Sequence, residues 1–134
     1  WELGIEFKEF VAVSKKILIA EDSLTMRSLI VSTIAAMGDY DTVEAANGFD
    51  ALRILPREKV DLIITDINMP DINGLELVSF IRNNENYKET PLFIISTESS
   101  ERDREKGMAL GANAYLVKPF APDQLQQLIR EYLA

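Results

Sequence analysis

The chain predicts an α/β domain: a doubly wound, five-stranded parallel sheet with helices on both faces. Three observations carry this. Short runs rich in β-branched and aliphatic residues alternate with segments of helical periodicity, which is the pattern of right-handed crossover units. The first and third runs, Ile17-Leu18-Ile19-Ala20 and Leu62-Ile63-Ile64, are almost wholly apolar, as strands covered on both faces must be. The connections are short, and 134 residues suffice for one core.

Taken in order, strands are expected at 16–20, about 41–46, 60–65, 91–96 and 114–117. Between the first two, Met26, Leu29, Ile30, Ile34 and Met37 recur at helical spacing and predict a one-sided amphipathic helix. The second helix, within Asn47 to Lys59, is the least regular, and Pro56 should end or distort it. Asn73 followed three residues later by Glu76 predicts a capping box at the start of the third helix, and Ser100 with Asp103 a weaker one before the fourth. That fourth helix has few strongly apolar positions apart from Met108 and Leu110, so it is expected to be marginal and easily shifted. Leu125, Leu128, Ile129, Tyr132 and Leu133 mark the last helix. Residues 1–14 lack the basic start and cleavage site of a signal peptide and are read as an N-terminal extension or an expression-derived segment, leaving 15–134 as the domain.

Composition narrows the function. No apolar stretch approaches the roughly 20 residues of a membrane span, and without cysteine there is no thiolate metal site, so a cytoplasmic location is expected. With no histidine, chemistry must rest on carboxylates, hydroxyls, lysines and backbone groups. A formal net charge of -8 argues against binding nucleic acid, which needs cations for the phosphates, and favours a protein partner.

In open sheets of this class the site lies beyond the carboxyl ends of the strands, where strand order reverses. The strand order expected is the flavodoxin-like 2-1-3-4-5, taken from other sheets of the class rather than from these residues. It would bring Glu21, Asp22 and Asp66 to one rim, with Ser96 and Lys118 at the ends of strands four and five. Taken singly, each has an ordinary alternative: Asp66 as a turn cap, Glu21 and Asp22 as acids at a helix N-terminus, Ser96 as a cap, Lys118 as a solvated lysine, Tyr115 as core. Arg82, Arg102 and Arg104 read as a solvated face. Together the acids call for a cation. An aspartate attacking phosphorus must overcome charge repulsion, and Mg2+ suits oxygen donors of this kind. Asp22 and Asp66 would bind it directly and Glu21 through water, with the backbone carbonyl of Asn68 completing the protein's share. Lys118 and the Ser96 hydroxyl would serve the phosphoryl oxygens.

Four segments in order, Glu21-Asp22-Ser23, Thr65 to Gly74, Ile95-Ser96-Thr97-Glu98 and Gly111 to Phe120, resemble the response-regulator receiver domain over about residues 15–134. The resemblance implies that Asp66 is the phosphoacceptor for a sensor histidine kinase in a two-component system. It also implies that Glu21, Asp22 and the Asn68 carbonyl hold magnesium, and that Ser96, Lys118 and Tyr115 convey phosphorylation to an output face. That face would be formed by helix 4, strand 5 and helix 5 and bind a downstream protein. In the family the bond before the Pro119 position is usually cis, which would aim Lys118 into the site. Thr97, Glu98 and Asn68 are expected to tune access and dephosphorylation, the β-branched Thr97 by narrowing the approach to Asp66. Glu98 and the Tyr115-to-Phe120 segment are most similar to chemotaxis-type receivers, so a monomeric, phosphoaccepting switch rather than an enzyme is expected. A receiver cut from a longer regulator or hybrid kinase is the alternative. A haloacid dehalogenase-type phosphatase would need a second Asp where Asn68 stands, and a flavodoxin would need a phosphate-cradling loop where Glu21-Asp22 would repel the phosphate.

Overall fold

The computed structural model describes residues 14–98 and 101–133. Of the N-terminal extension only Ser14 falls within them, and the expected Ser100 cap lies outside them. Five strands, β1 (Lys15–Ala20), β2 (Tyr40–Ala45), β3 (Leu62–Thr65), β4 (Leu92–Ser96) and β5 (Ala114–Val117), alternate with α1 (Leu24–Ala35), α2 (Gly48–Ile54), α3 (Gly74–Arg82), α4 (Glu101–Leu110) and α5 (Pro122–Leu133). All strand pairs are parallel and the order is β2-β1-β3-β4-β5. Ile17 pairs with Leu62 and Ala20 with Thr65, so β1 and β3 end level at the rim.

Alternation along the strands splits the core in two. Leu18, Ile63, Leu92, Ile94 and Tyr115 face α2, α3 and α4 and pack with Ala51, Leu55, Leu77, Val78 and Ile81. Ile17, Ile19, Leu62, Ile64, Phe93, Ile95 and Leu116 face α1 and α5, meeting Ile30, Ile34, Leu125, Ile129 and Leu133. Each such side chain contributes about 1.5–3 kcal/mol when fully removed from water, which is why the period-two pattern fixes the register.

The helices begin and end where their local chemistry dictates. Ser23, Asn47 and Asn73 cap α1, α2 and α3 by accepting a backbone N–H three residues on, and Asn73 with Glu76 completes the capping box. α2 stops at Ile54 with Leu55 as its C-cap, just before Pro56. Two expectations are corrected. α1 is not strictly one-sided: Leu24 is 66% and Leu29 43% exposed, because Ile30, Thr33 and Ile34 already fill the face turned to the sheet. Arg82 is not on a solvated face. Its guanidinium donates to the carbonyls of Gly111 (2.9 Å), Tyr87 (3.3 Å) and Thr90 (2.8 Å) and to Asn113 Oδ1 (3.0 Å), tying α3 to the loops that lead into β4 and β5.

Candidate active site

The chain leaves β1 directly into the site. Glu21 N–H donates to the Ala45 carbonyl (3.0 Å), so Glu21 continues the sheet for one residue and its side chain is buried. Ser23 then caps α1, and its amide donates to Glu21 Oε2 (3.1 Å). Arg27, ion-paired with Glu44, donates to the Glu21 carbonyl (2.8 Å) and pins the turn. Glu21 and Asp22 thus precede the helix rather than occupying its first turn, and Asp22 remains exposed.

Asp66 arises in the same way from β3. Its amide donates to the Ala20 carbonyl (3.0 Å), and its Oδ1 accepts the Ile67 amide (2.7 Å), leaving Oδ2 directed toward Lys118. The following loop is folded back tightly. Gly74 N–H donates to the Ile67 carbonyl (2.8 Å), and a Cβ on Gly74 would lie 1.9 Å from the Asp66 carbonyl oxygen. Asp71, in that loop, accepts from the amides of Gly48 (3.1 Å) and Phe49 (2.9 Å) and so fastens the start of α2 beside it.

Lys118 follows β5. Its backbone N–H donates to the Ser96 carbonyl (2.8 Å), and the Lys118–Pro119 peptide is cis. Its ammonium lies 2.6 Å from Glu21 Oε1 and 3.2 Å from Asp66 Oδ2, almost wholly out of solvent. Burial opposes the lysine's charge, but the hydrogen bond to Glu21 and the field of Asp66 and Glu21 win and hold it above the usual lysine range. Burial pushes the Glu21 carboxyl up, and the bonds from Lys118 and Ser23 only partly offset that. Glu21, Asp22 and Asp66 each present a carboxylate oxygen within 4.8 Å of the others. Three hard oxygen donors converging there, facing a single ammonium, suit Mg2+ by charge and by donor type.

A second ring of residues borders this cluster. Ser96 is buried, and its Oγ accepts the Glu98 amide (3.1 Å). The Tyr115 hydroxyl donates to the Glu98 carbonyl (2.6 Å); its ring is turned inward, and burial raises the phenol's pKa. The Asn68 side-chain amide donates to Glu98 Oε1 (3.1 Å), joining the loop after β3 to the loop after β4 across the rim. Thr97 is exposed between Ser96 and Glu98. Sequence reading overlooked Gly74, although a glycine directly after the Asn73 cap is a visible sign of close backbone approach. It also overlooked Arg27, whose partners are brought to it only by the fold.

Residues 17–130 match the family model described as the response regulator receiver domain. A chemotaxis protein CheY homolog of Campylobacter jejuni is 38% identical over 119 residues, which covers 88% of this chain and 92% of that protein. The structure of the chemotaxis protein CheY4 of Vibrio cholerae superposes with a TM-score of 0.83 at 36% identity, covering 90% of this chain and all of that one. The receiver domain of a Pseudomonas aeruginosa sensor histidine kinase, solved with a magnesium ion coordinated in its active-site cleft, is 28% identical with a TM-score of 0.81, covering 90% of this chain and 98% of that one.

Proposed function

The chain belongs to the response-regulator receiver family of two-component signalling, and from that premise we propose that Asp66 is its phosphoacceptor and that the phosphorylated form binds a downstream protein in chemotaxis. The observation that carries the reading is the Lys118 ammonium held at 2.6 Å from Glu21 and 3.2 Å from Asp66, inside a cluster of three carboxylates. A lone buried aspartate would be a poor nucleophile toward a phosphoryl group. One that already shares a cation with a neighbour is placed where incoming negative charge can be compensated.

The phosphodonor is a sensor histidine kinase. An Asp66 carboxylate oxygen forms a bond to phosphorus as the phosphorus–nitrogen bond breaks, and the imidazole leaves with the electron pair and takes up a proton. Glu21, Asp22, Asp66 and the Asn68 carbonyl would hold Mg2+, which when bound neutralises charge on the transferred group. Lys118 turns its ammonium to a phosphoryl oxygen, and Ser96, whose Oγ now accepts from Glu98, gives its own proton to another. Asn68 and Glu98, bonded across the rim, and Thr97 beside them set the approach of donor and water. The chain is a phosphoacceptor domain and not a turnover enzyme.

New bonds at Ser96 and Lys118 favour one of two conformations of the domain. The output surface is the face of α4, β5 and α5, where a groove of about 400 Å³ is lined by Arg104, Met108, Tyr115, Leu116 and Leu128. Met108, Val117 and Tyr132 stand exposed on these same elements. The protein acts as a cytoplasmic monomer with no nucleic-acid contact of its own. A receiver from a longer regulator or hybrid kinase is the second reading, favoured by the likeness to the sensor-kinase receiver. Beryllofluoride titration with Mg2+ tests the site: saturable, metal-dependent binding that is lost in Asp66→Ala is expected. Binding without Mg2+, or retained in Asp66→Ala, would overturn the assignment.

A further inference from the structure

Gly107 is the only buried residue of α4, a helix otherwise made of Glu, Arg, Asp, Lys, Met, Ala and Leu side chains that are exposed or half-buried. Mid-helix glycine costs about 1 kcal/mol relative to alanine, so its presence needs a packing reason. That reason lies beneath it: a Cβ at Gly107 would stand 2.8 Å from Ile94 Cδ1 on β4 and 3.4 Å from Tyr115 Cδ2 on β5. The helix therefore sits closer to the sheet than a methyl group allows, directly over the inward Tyr115 ring. From that ring a continuous chain of bonds runs to the site: Tyr115 hydroxyl to the Glu98 carbonyl, Glu98 amide to Ser96 Oγ, and Glu98 carboxylate to Asn68.

We infer that Gly107 is a positioning residue of the switch: by leaving room above Ile94, it lets α4 close over Tyr115 and so sustains the inward ring that is bonded to the loop beside Ser96. This rests on the phosphoacceptor reading, in which Tyr115 conveys phosphorylation to the output face, and it takes the inward ring, bonded through Glu98 to Ser96, as the arrangement that new bonds at Ser96 favour. A side chain at 107 must move Ile94, move Tyr115 or lift α4, and Ile94 is fully buried with little room to yield. Any of these disfavours the inward arrangement, and by linkage the phosphoryl group must then spend part of its binding free energy restoring it.

The test uses the full chain, labelled with fluorotyrosine and followed by 19F NMR, with the Tyr115 resonance assigned by Tyr115→Phe, during beryllofluoride titration in Mg2+. In Gly107→Ala the Tyr115 resonance should shift or split, and beryllofluoride affinity should fall on the order of tenfold. Ile94→Val, which deletes the crowded Cδ1 atom, should restore both in the double variant and keeps the comparison within a core that folds. A Gly107→Ala protein that loses thermal stability while its Tyr115 resonance and affinity stay unchanged would show a merely structural glycine and overturn the inference, as would a double variant that is not rescued. Failure of the unaltered chain to bind beryllofluoride through Asp66 would instead overturn the phosphoacceptor reading, and this inference with it.

Discussion

Gly74→Ala is a perturbation whose cost follows from the backbone alone. The added Cβ would lie 1.9 Å from the Asp66 carbonyl oxygen, 2.8 Å from the Asp66 carbonyl carbon and 2.9 Å from Ile67 Cα. Carbon and oxygen approach to about 3.3 Å, so the chain must open by about 1.4 Å at Asp66, the proposed phosphoacceptor. Overpacking costs about 1–3 kcal/mol where side chains can yield. Here only backbone is available to yield, and it is held by the Gly74 to Ile67 hydrogen bond (2.8 Å) and the Asn73–Glu76 capping box. The loss should therefore reach roughly 3 kcal/mol, lowering Tm by about 10 °C for a domain of this size. Gly38→Ala is the control. Gly38 has φ +82° and nothing within 4 Å of a built Cβ, so its cost is the left-handed backbone alone, about 1–2 kcal/mol. Urea denaturation followed by far-UV circular dichroism measures both, and beryllofluoride titration should show weaker binding only for Gly74→Ala. If Gly74→Ala proves no more destabilising than Gly38→Ala, and binds beryllofluoride normally, the steric argument is wrong.

Arg82→Met removes four hydrogen bonds but keeps an apolar stem. Discounted for the guanidinium's partial exposure, the loss should be about 2–3 kcal/mol, with amide exchange quickening at 87–92 and 111–113 and little elsewhere; uniform quickening would contradict a local clamp. Asp71 is held below the usual carboxylate range because the amide bonds from Phe49, Ile72 and Gly48 outweigh the opposing effect of burial. Its stabilisation is therefore present above the unfolded-state value and is lost as pH falls through the lower folded value, so Asp71→Asn should flatten the acid limb of a stability–pH curve below about pH 4. An unchanged slope there would refute the assignment. Lys118→Met leaves Glu21 and Asp66 without their shared ammonium, so thermal stability in chelator should fall while Mg2+ affinity rises on the order of tenfold. Weaker Mg2+ binding in that variant would mean that Lys118 supports the metal site instead of competing with it.

Much of this was legible in the sequence because it is local. The apolar runs at 17–20 and 62–64 declared central strands, and the Asn73–Glu76 pair and Pro56 marked helix ends by chemistry within a few residues of themselves. The carboxylates at 21, 22 and 66 could be placed on one rim only with the strand order borrowed from other sheets of the class, and the pairing of Ala20 with Thr65 then puts the two strand ends level. Arg82 was misread because a charged residue near a helix end is solvated by default, and its four acceptors come from two loops that only the fold assembles. The outward Leu29 was misread because periodicity gives the faces of a helix, not which face the sheet takes.

The sequence by itself determined the layered architecture, the family and the set of groups available for chemistry, since periodicity, turn residues and the absence of histidine and cysteine are properties of the chain alone. Tertiary structure alone decided how those groups are paired. Lys118 is shared between Glu21 and Asp66, separated from them by 97 and 52 positions, and Tyr115 turns inward beneath a glycine on a neighbouring helix. Contacts of about 3 Å between residues far apart in sequence arise from the packing of whole elements, and no local pattern encodes them.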